Sequence, residues 1–113
     1  MPHLVIEYSD DALDRAMLKE LMQGLAETAA QTGVMKREDI KVRAQNYRDY
    51  LIAGKQDSFV HLSVYLLAGR TPEQKEKLSI SLRRTMVDRC PDVVSLSVDI
   101  RDMDPDAYKK RLK

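Results

Sequence analysis

Apolar and polar residues alternate in four segments of this chain, and alternation with a period of two is the pattern of a β-strand whose one face is buried. The segments are His3 to Tyr8, Ile40 to Ala44, Phe59 to Leu67 and Val94 to Arg101. In the first, Leu4 and Ile6 share one face. We therefore predict four strands, each with one face toward a core.

Two segments between these strands have the spacing of amphipathic helices. From Ala12 to about Gln31 the apolar positions recur every three or four residues, with N-cap candidates at Ser9 to Asp11 and a glycine, Gly33, placed for a left-handed cap. The second helix begins at Thr71 to Gln74, which has capping-box spacing with a proline at its first helical position, and ends at Pro91. Its apolar stripe consists of Leu78, Leu82 and Met86.

The order strand, helix, strand occurs twice, and crossover connections of this kind make the two strands of each unit parallel. We predict an α/β fold, also classed as α+β, in which two fused βαβ units form a four-stranded sheet with two helices on one face. One domain, residues 1–113, has pseudo-repeat halves of about 1–57 and 58–113. Two segments are less regular: 47–52 is compatible with an extension of the second strand, and the basic tail 105–113 with a helix.

Composition narrows the function classes. The formal net charge is +1, so no global field attracts nucleic acid or an anionic membrane. Cys90 is the only cysteine, which excludes an internal disulfide and a multi-cysteine metal site, and it reads as a small buried residue at a helix end. No signal-peptide segment and no apolar run near ~20 residues is present, so we expect a cytoplasmic protein without a membrane anchor.

Pro2 is the first candidate for chemistry. Methionine is usually removed before a small second residue, and the chain would then begin with a secondary amine. An α-amino group titrates at about 7.7–8.0, and burial lowers that pKa because it disfavours the charged form. A neutral amine is a potential general base. The alternative is structural, since proline is tolerated at the first residue of a strand.

The segment from Pro2 to Ser9, PHLVIEYS, resembles the opening of 5-carboxymethyl-2-hydroxymuconate isomerases, a family of the tautomerase superfamily. The resemblance implies a tautomerase fold, a homotrimer, and a cofactor-free isomerase whose N-terminal proline, here Pro2, is the general base. It implies a small polycarboxylate substrate from bacterial aromatic-acid catabolism, the degradation of homoprotocatechuate, and neither cofactor nor metal.

The segment from Leu67 to Leu78, LAGRTPEQKEKL, is similar to the strand-to-helix junction of 4-oxalocrotonate tautomerases. In that family the arginine of the Gly-Arg pair binds a substrate carboxylate, which implies this role for Arg70. A second family arginine falls on Lys41, or on Ser97 in the second unit, so the sequence departs from the pattern there. Lysine keeps the charge but loses the two-pronged geometry. Lys41 and the neighbouring Arg43 are therefore the candidates for a second substrate carboxylate.

Two other functions fit the sequence. One is a tautomerase with a different keto-enol substrate. The other is a non-enzymatic α/β module that binds a small ligand. An RNA-binding version would need aromatic residues stacked on the central strands. Those strands instead carry Lys41, Arg43, His61, Ser63 and Tyr65. That composition argues against RNA and leaves a small ligand open.

Overall fold

Four strands form one mixed sheet in the computed structural model, which describes all 113 residues. They are β1 (His3–Ser9), β2 (Lys41–Tyr47), β3 (Phe59–Leu67) and β4 (Ser95–Met103), in the spatial order β2-β1-β3-β4. The pairs β1–β2 and β3–β4 are parallel, whereas β1 and β3 are antiparallel. Each outer pair belongs to one strand, helix, strand unit, which confirms the predicted two βαβ units.

Both helices, α1 (Arg15–Gln31) and α2 (Pro72–Arg89), cover the same face of the sheet. The alternating apolar residues of β1 and β3 meet the stripes of the two helices there, and burial of this apolar surface is the main stabilising contribution. The fully buried side chains of this core include Leu4, Ile6, Leu21, Leu25, Val60, Leu62, Val64, Leu66, Leu78, Leu82 and Met86. No helix covers the other face of the sheet, where the C-terminal tail contacts His3 through Tyr108.

The N-terminus of α2 is as the sequence predicts. The Thr71 hydroxyl accepts a hydrogen bond from the Gln74 backbone N–H at 3.1 Å, and the Thr71 N–H donates to the Gln74 side chain at 2.9 Å. At the other end the helix is capped at Cys90, just before Pro91. Cys90 is buried, and burial raises the pKa of its thiol.

The predicted N-cap of α1 at residues 9–11 is wrong. The helix begins at Arg15, and Asp14 caps it by accepting the Met17 N–H at 2.8 Å. Ser9 remains the last residue of β1 because its buried hydroxyl accepts the Phe59 N–H of the neighbouring strand at 3.0 Å. Gly33 has φ of +76°, which confirms the left-handed end of α1.

Two other segments differ from the sequence-based expectation. The second strand does not continue to residue 52, because β1 ends at Ser9 and leaves β2 without a neighbour beyond Tyr47. A tight turn follows, with Ile52 paired to Lys55. The tail is not helical: it makes one turn at 105–107, and its Tyr108 then reaches back to His3.

This topology decides which segments meet. Parallel strands begin at the same edge of a sheet, and an antiparallel neighbour ends there. The start of β1, the start of β2 and the end of β3 therefore lie side by side. Pro2, the loop before Lys41, and the Gly-Arg junction after β3 come together at this edge.

Candidate active site

A cavity of about 460 Å³ lies at this edge of the sheet. Pro2 and Arg70, the two residues that the sequence assigns to catalysis, both contribute to its wall, although they are far apart in the chain. Its volume suits a small organic acid. The complete lining is Met1, Pro2, Gly33, Val34, Met35, Lys36, Asp39 and Arg70.

Pro2 is buried, and its backbone is fixed to the neighbouring strand. Its carbonyl oxygen accepts the Lys41 N–H at 3.1 Å, just before the first ladder pair, His3 with Lys41. A proline fits this first position because no N–H is required of it. With Met1 attached the Pro2 nitrogen is an amide, so basicity at this site requires the free N-terminus.

The α-amino group next to this cavity has a lowered pKa. In the chain that carries Met1, burial is the largest cause of the decrease from 8.0, followed by the positive charges of Lys110, Arg70 and Lys41. Asp39 acts in the opposite direction and raises the pKa. This environment favours a neutral amine, the form in which nitrogen accepts a proton.

Arg70 is half-buried between β3 and α2 and is held by backbone carbonyls. Its Nε and Nη2 donate to the Val34 oxygen at 3.3 and 3.0 Å, and its Nη1 donates to the Leu67 oxygen at 3.0 Å. Gly69, directly before it, has φ of +134°, a backbone conformation that residues other than glycine rarely adopt. A guanidinium has five N–H donors, so one remains on each terminal nitrogen. These two donors are available to an anion.

Lys41 and Arg43, the other predicted binding residues, do not line the cavity. Both are exposed on β2. Arg43 donates to His3 Nδ1 at 3.1 Å, and because Arg43 offers no lone pair, the His3 proton is on Nε2, which donates to the Tyr108 hydroxyl at 2.9 Å. Burial, Arg43 and Lys41 lower the pKa of His3. The structure therefore separates Arg43 from the site and leaves Lys41 beside it.

The sequence motifs do not identify Lys36 and Asp39 as site residues. Both line the cavity. Asp39 is the last residue of a short 3-10 helix, Arg37–Asp39, and Lys36 directly precedes that helix. The signal that could have located them is topological. A loop that leads into the second strand of a βαβ unit ends near the start of the first strand, and hence near Pro2.

The structure contains no cluster of three or more His, Cys, Asp or Glu side chains arranged to hold a metal ion. None of its helices combines the length and apolar character that crossing a membrane requires. Every buried side-chain nitrogen and oxygen has a hydrogen-bond partner.

Several solved structures share this fold. A 5-carboxymethyl-2-hydroxymuconate isomerase from Deinococcus radiodurans R1 is 27% identical with a TM-score of 0.83, and the match covers 99% of this chain and 90% of that one. Pt0534 inactivated by 2-oxo-3-pentynoate has 19% identity, a TM-score of 0.87, and coverage of 96% and 91%. A fused 4-OT that forms a symmetric trimer has 22% identity, a TM-score of 0.77, and coverage of 90% and 85%. The latter two likenesses show the fold alone.

Sequence comparison identifies the family. No curated protein matches the chain. The sequence profile described as 5-carboxymethyl-2-hydroxymuconate isomerase, however, matches residues 2–112, nearly the whole chain. That match agrees with the resemblance of both sequence motifs and with the tautomerase-superfamily fold. The chain therefore belongs to the 5-carboxymethyl-2-hydroxymuconate isomerase family.

Proposed function

We propose that the protein is a cofactor-free isomerase that shifts a proton in 5-carboxymethyl-2-hydroxymuconate or a similar unsaturated 2-hydroxy or 2-oxo polycarboxylate. The observation that carries the proposal is the shared cavity of Pro2 and Arg70. It combines a nitrogen that is basic once Met1 is removed with a half-buried guanidinium that has donors to spare. Family membership supports an isomerase.

In this mechanism the neutral Pro2 amine removes either the 2-hydroxyl proton or an allylic proton. The electron pair moves along the conjugated chain, and the amine returns a proton to another carbon, so the composition of the substrate is unchanged. Arg70 binds a carboxylate and stabilises the negative charge that spreads onto it, an electrostatic role of the oxyanion-hole type. Lys41, whose backbone is bonded to Pro2 beside the cavity, is the proposed contact for a further carboxylate when the substrate approaches from the β2 side.

Turnover of 5-carboxymethyl-2-hydroxymuconate by the purified protein tests this function. The proposed isomerase changes the absorbance of the conjugated substrate, and a simple enol such as phenylenolpyruvate, assayed in parallel, reacts more slowly. Faster reaction of the simple enol would instead identify a tautomerase with another keto-enol substrate. No reaction of either, in protein whose first residue is Pro2, would leave the small-ligand-binding module as the better account.

The proposed compartment is the cytoplasm, where aromatic-acid degradation supplies such substrates. The single chain also leaves one sheet face without a covering helix. Val5, Tyr65 and Leu67 are half-buried on it, beside the exposed Lys41 and Arg43. Apolar side chains on an open face favour self-association, and a fused 4-OT of this fold is a symmetric trimer. We therefore propose that this chain forms a homotrimer through the open face.

Sedimentation equilibrium at micromolar concentration should give a mass three times the 13.0 kDa of one chain. Val5→Lys should shift the population toward monomer, because it places a charge in the centre of the proposed interface. Val87→Lys is the matched control, since Val87 is exposed on α2, on the other side of the molecule. A wild-type protein that sediments as a monomer would contradict the proposed assembly.

A further inference from the structure

The cavity contains a second cation that the family resemblance does not assign. Among its lining side chains, Arg70 and Lys36 are positive and Asp39 is negative. Lys36 is exposed and takes no part in the ion pairs of the structure, which are Arg37–Glu27, Lys75–Asp102 and Arg101–Asp99. It is not paired with Asp39 in the same cavity. Its ammonium group is therefore available to an anion that enters.

The backbone fixes Lys36 relative to Arg70. Val34, two residues before Lys36, has its carbonyl oxygen held by two nitrogens of the Arg70 guanidinium. The carbonyl oxygen of Lys36 itself accepts the Asp39 N–H at 3.0 Å, which closes the short 3-10 helix. The loop that carries Lys36 is thus attached to the arginine that contacts substrate. Lys36 and Arg70 therefore line one cavity from segments that are hydrogen-bonded to each other. Two cations placed in this way are suited to two carboxylates of one ligand.

The cations assigned from the sequence are placed less favourably. Arg43 directs a terminal nitrogen to His3, and neither Arg43 nor Lys41 lines the cavity. Arg37, next to Lys36, has the same charge, but its guanidinium is bonded to Glu27 of α1 and is also outside the cavity. Lys36 is therefore the cation that can contact a ligand together with Arg70.

We propose that Lys36 binds a second carboxylate of the substrate while Arg70 binds the first, and that Lys36 thereby sets a preference for polycarboxylates over monocarboxylates. This assignment rests on the proposed isomerase function. An ammonium group on a flexible stem binds carboxylates in varied positions. Lys36 accordingly contributes to binding, in the ground state and the transition state alike, and not to the proton transfer itself.

The test compares Lys36→Ala with Arg37→Ala, which removes the same charge from the adjacent residue. Lys36→Ala should raise the KM for 5-carboxymethyl-2-hydroxymuconate about tenfold with kcat little changed, because uniform binding is lost. The KM for phenylenolpyruvate, which has one carboxylate, should stay the same. Lys36→Arg should restore most of the affinity, and Arg37→Ala should behave as wild type.

Equal effects of the two alanine variants, or equal effects of Lys36→Ala on both substrates, would overturn the assignment. A binding measurement tests the role of Lys36 independently of the proposed isomerase activity. Calorimetry with the unreactive propane-1,2,3-tricarboxylate should show about tenfold weaker binding to Lys36→Ala than to wild type, whether or not the protein turns over the muconate. Unchanged binding of the tricarboxylate would refute the role of Lys36. Inert wild-type protein that still shows this difference would refute only the isomerase.

Discussion

A form of the protein that retains Met1 is expected to lose nearly all isomerase activity. With Met1 attached, the Pro2 nitrogen is an amide with neither a proton to exchange nor a basic lone pair. The other basic residues that line the cavity, Lys36 and Arg70, are on other segments and do not replace a nitrogen at the Pro2 position. Loss of a general base typically lowers the rate roughly 10²- to 10⁴-fold. Inserting glutamate between Met1 and Pro2 puts a large residue after the methionine and so prevents its removal.

The insertion variant is compared with wild-type protein whose intact mass shows Pro2 as the first residue. Both must have the same melting temperature and the same assembly, so that the loss is chemical. Pro2→Ala is a useful third sample, because removal of Met1 leaves it with a primary amine, and we expect intermediate activity. Full activity of the insertion variant would exclude the proline mechanism.

Arg70→Ala is expected to lower kcat/KM roughly 10- to 150-fold. A hydrogen bond to a charged group contributes about 1.5–3 kcal/mol, and each 1.4 kcal/mol is a factor of ten. The matched control is Arg83→Ala, because Arg83 is an exposed arginine in the middle of α2 that does not line the cavity. Arg83→Ala should have wild-type kinetics.

Arg70 also holds the carbonyl oxygens of Val34 and Leu67, so its removal affects the loop as well as the substrate. Arg70→Lys distinguishes the two roles, since lysine keeps a positive charge without the fork that binds the Val34 oxygen. One informative result is an Arg70→Lys variant that lowers the melting temperature as much as Arg70→Ala and still keeps partial activity. That result would show that the positive charge at this position acts on the substrate, apart from its role in holding the loop. Equal kinetics for Arg70→Ala and Arg83→Ala would mean that the Gly-Arg match is accidental.

The sequence predicts the layers of this fold well because local and global signals agree. Residues such as Leu4 and Ile6 alternate with polar neighbours, and the Thr71 capping box fixes the start of α2 without help from elsewhere. The errors fall where a distant partner decides. Ser9 remains in its strand because of Phe59, and the tail is drawn to His3 through Tyr108. No periodicity in the chain records those contacts.

The candidate site divides in the same way. Pro2 and Arg70 follow from short motifs that resemble a known family, and the structure places both at one cavity. Lys36 lies in an irregular loop, and its position depends on the bond between Arg70 and the Val34 carbonyl, 36 residues apart. Such a contact is visible only after the chain has folded. A charged residue in a loop is otherwise indistinguishable from any solvated lysine.

Titration of the Pro2 nitrogen by NMR, in trimmed protein labelled with ¹⁵N-proline, tests the central claim most directly. In the chain that carries Met1, burial lowers the pKa of the adjacent α-amino group. Pro2 is itself buried, so its amine in trimmed protein is expected to titrate below the ordinary 7.7–8.0, because burial disfavours the charged form. A base acts in its neutral form, so kcat/KM should rise with pH through that same pKa. A nitrogen that does not titrate, or a kinetic pKa that differs from the one measured on Pro2, would contradict Pro2 as the general base.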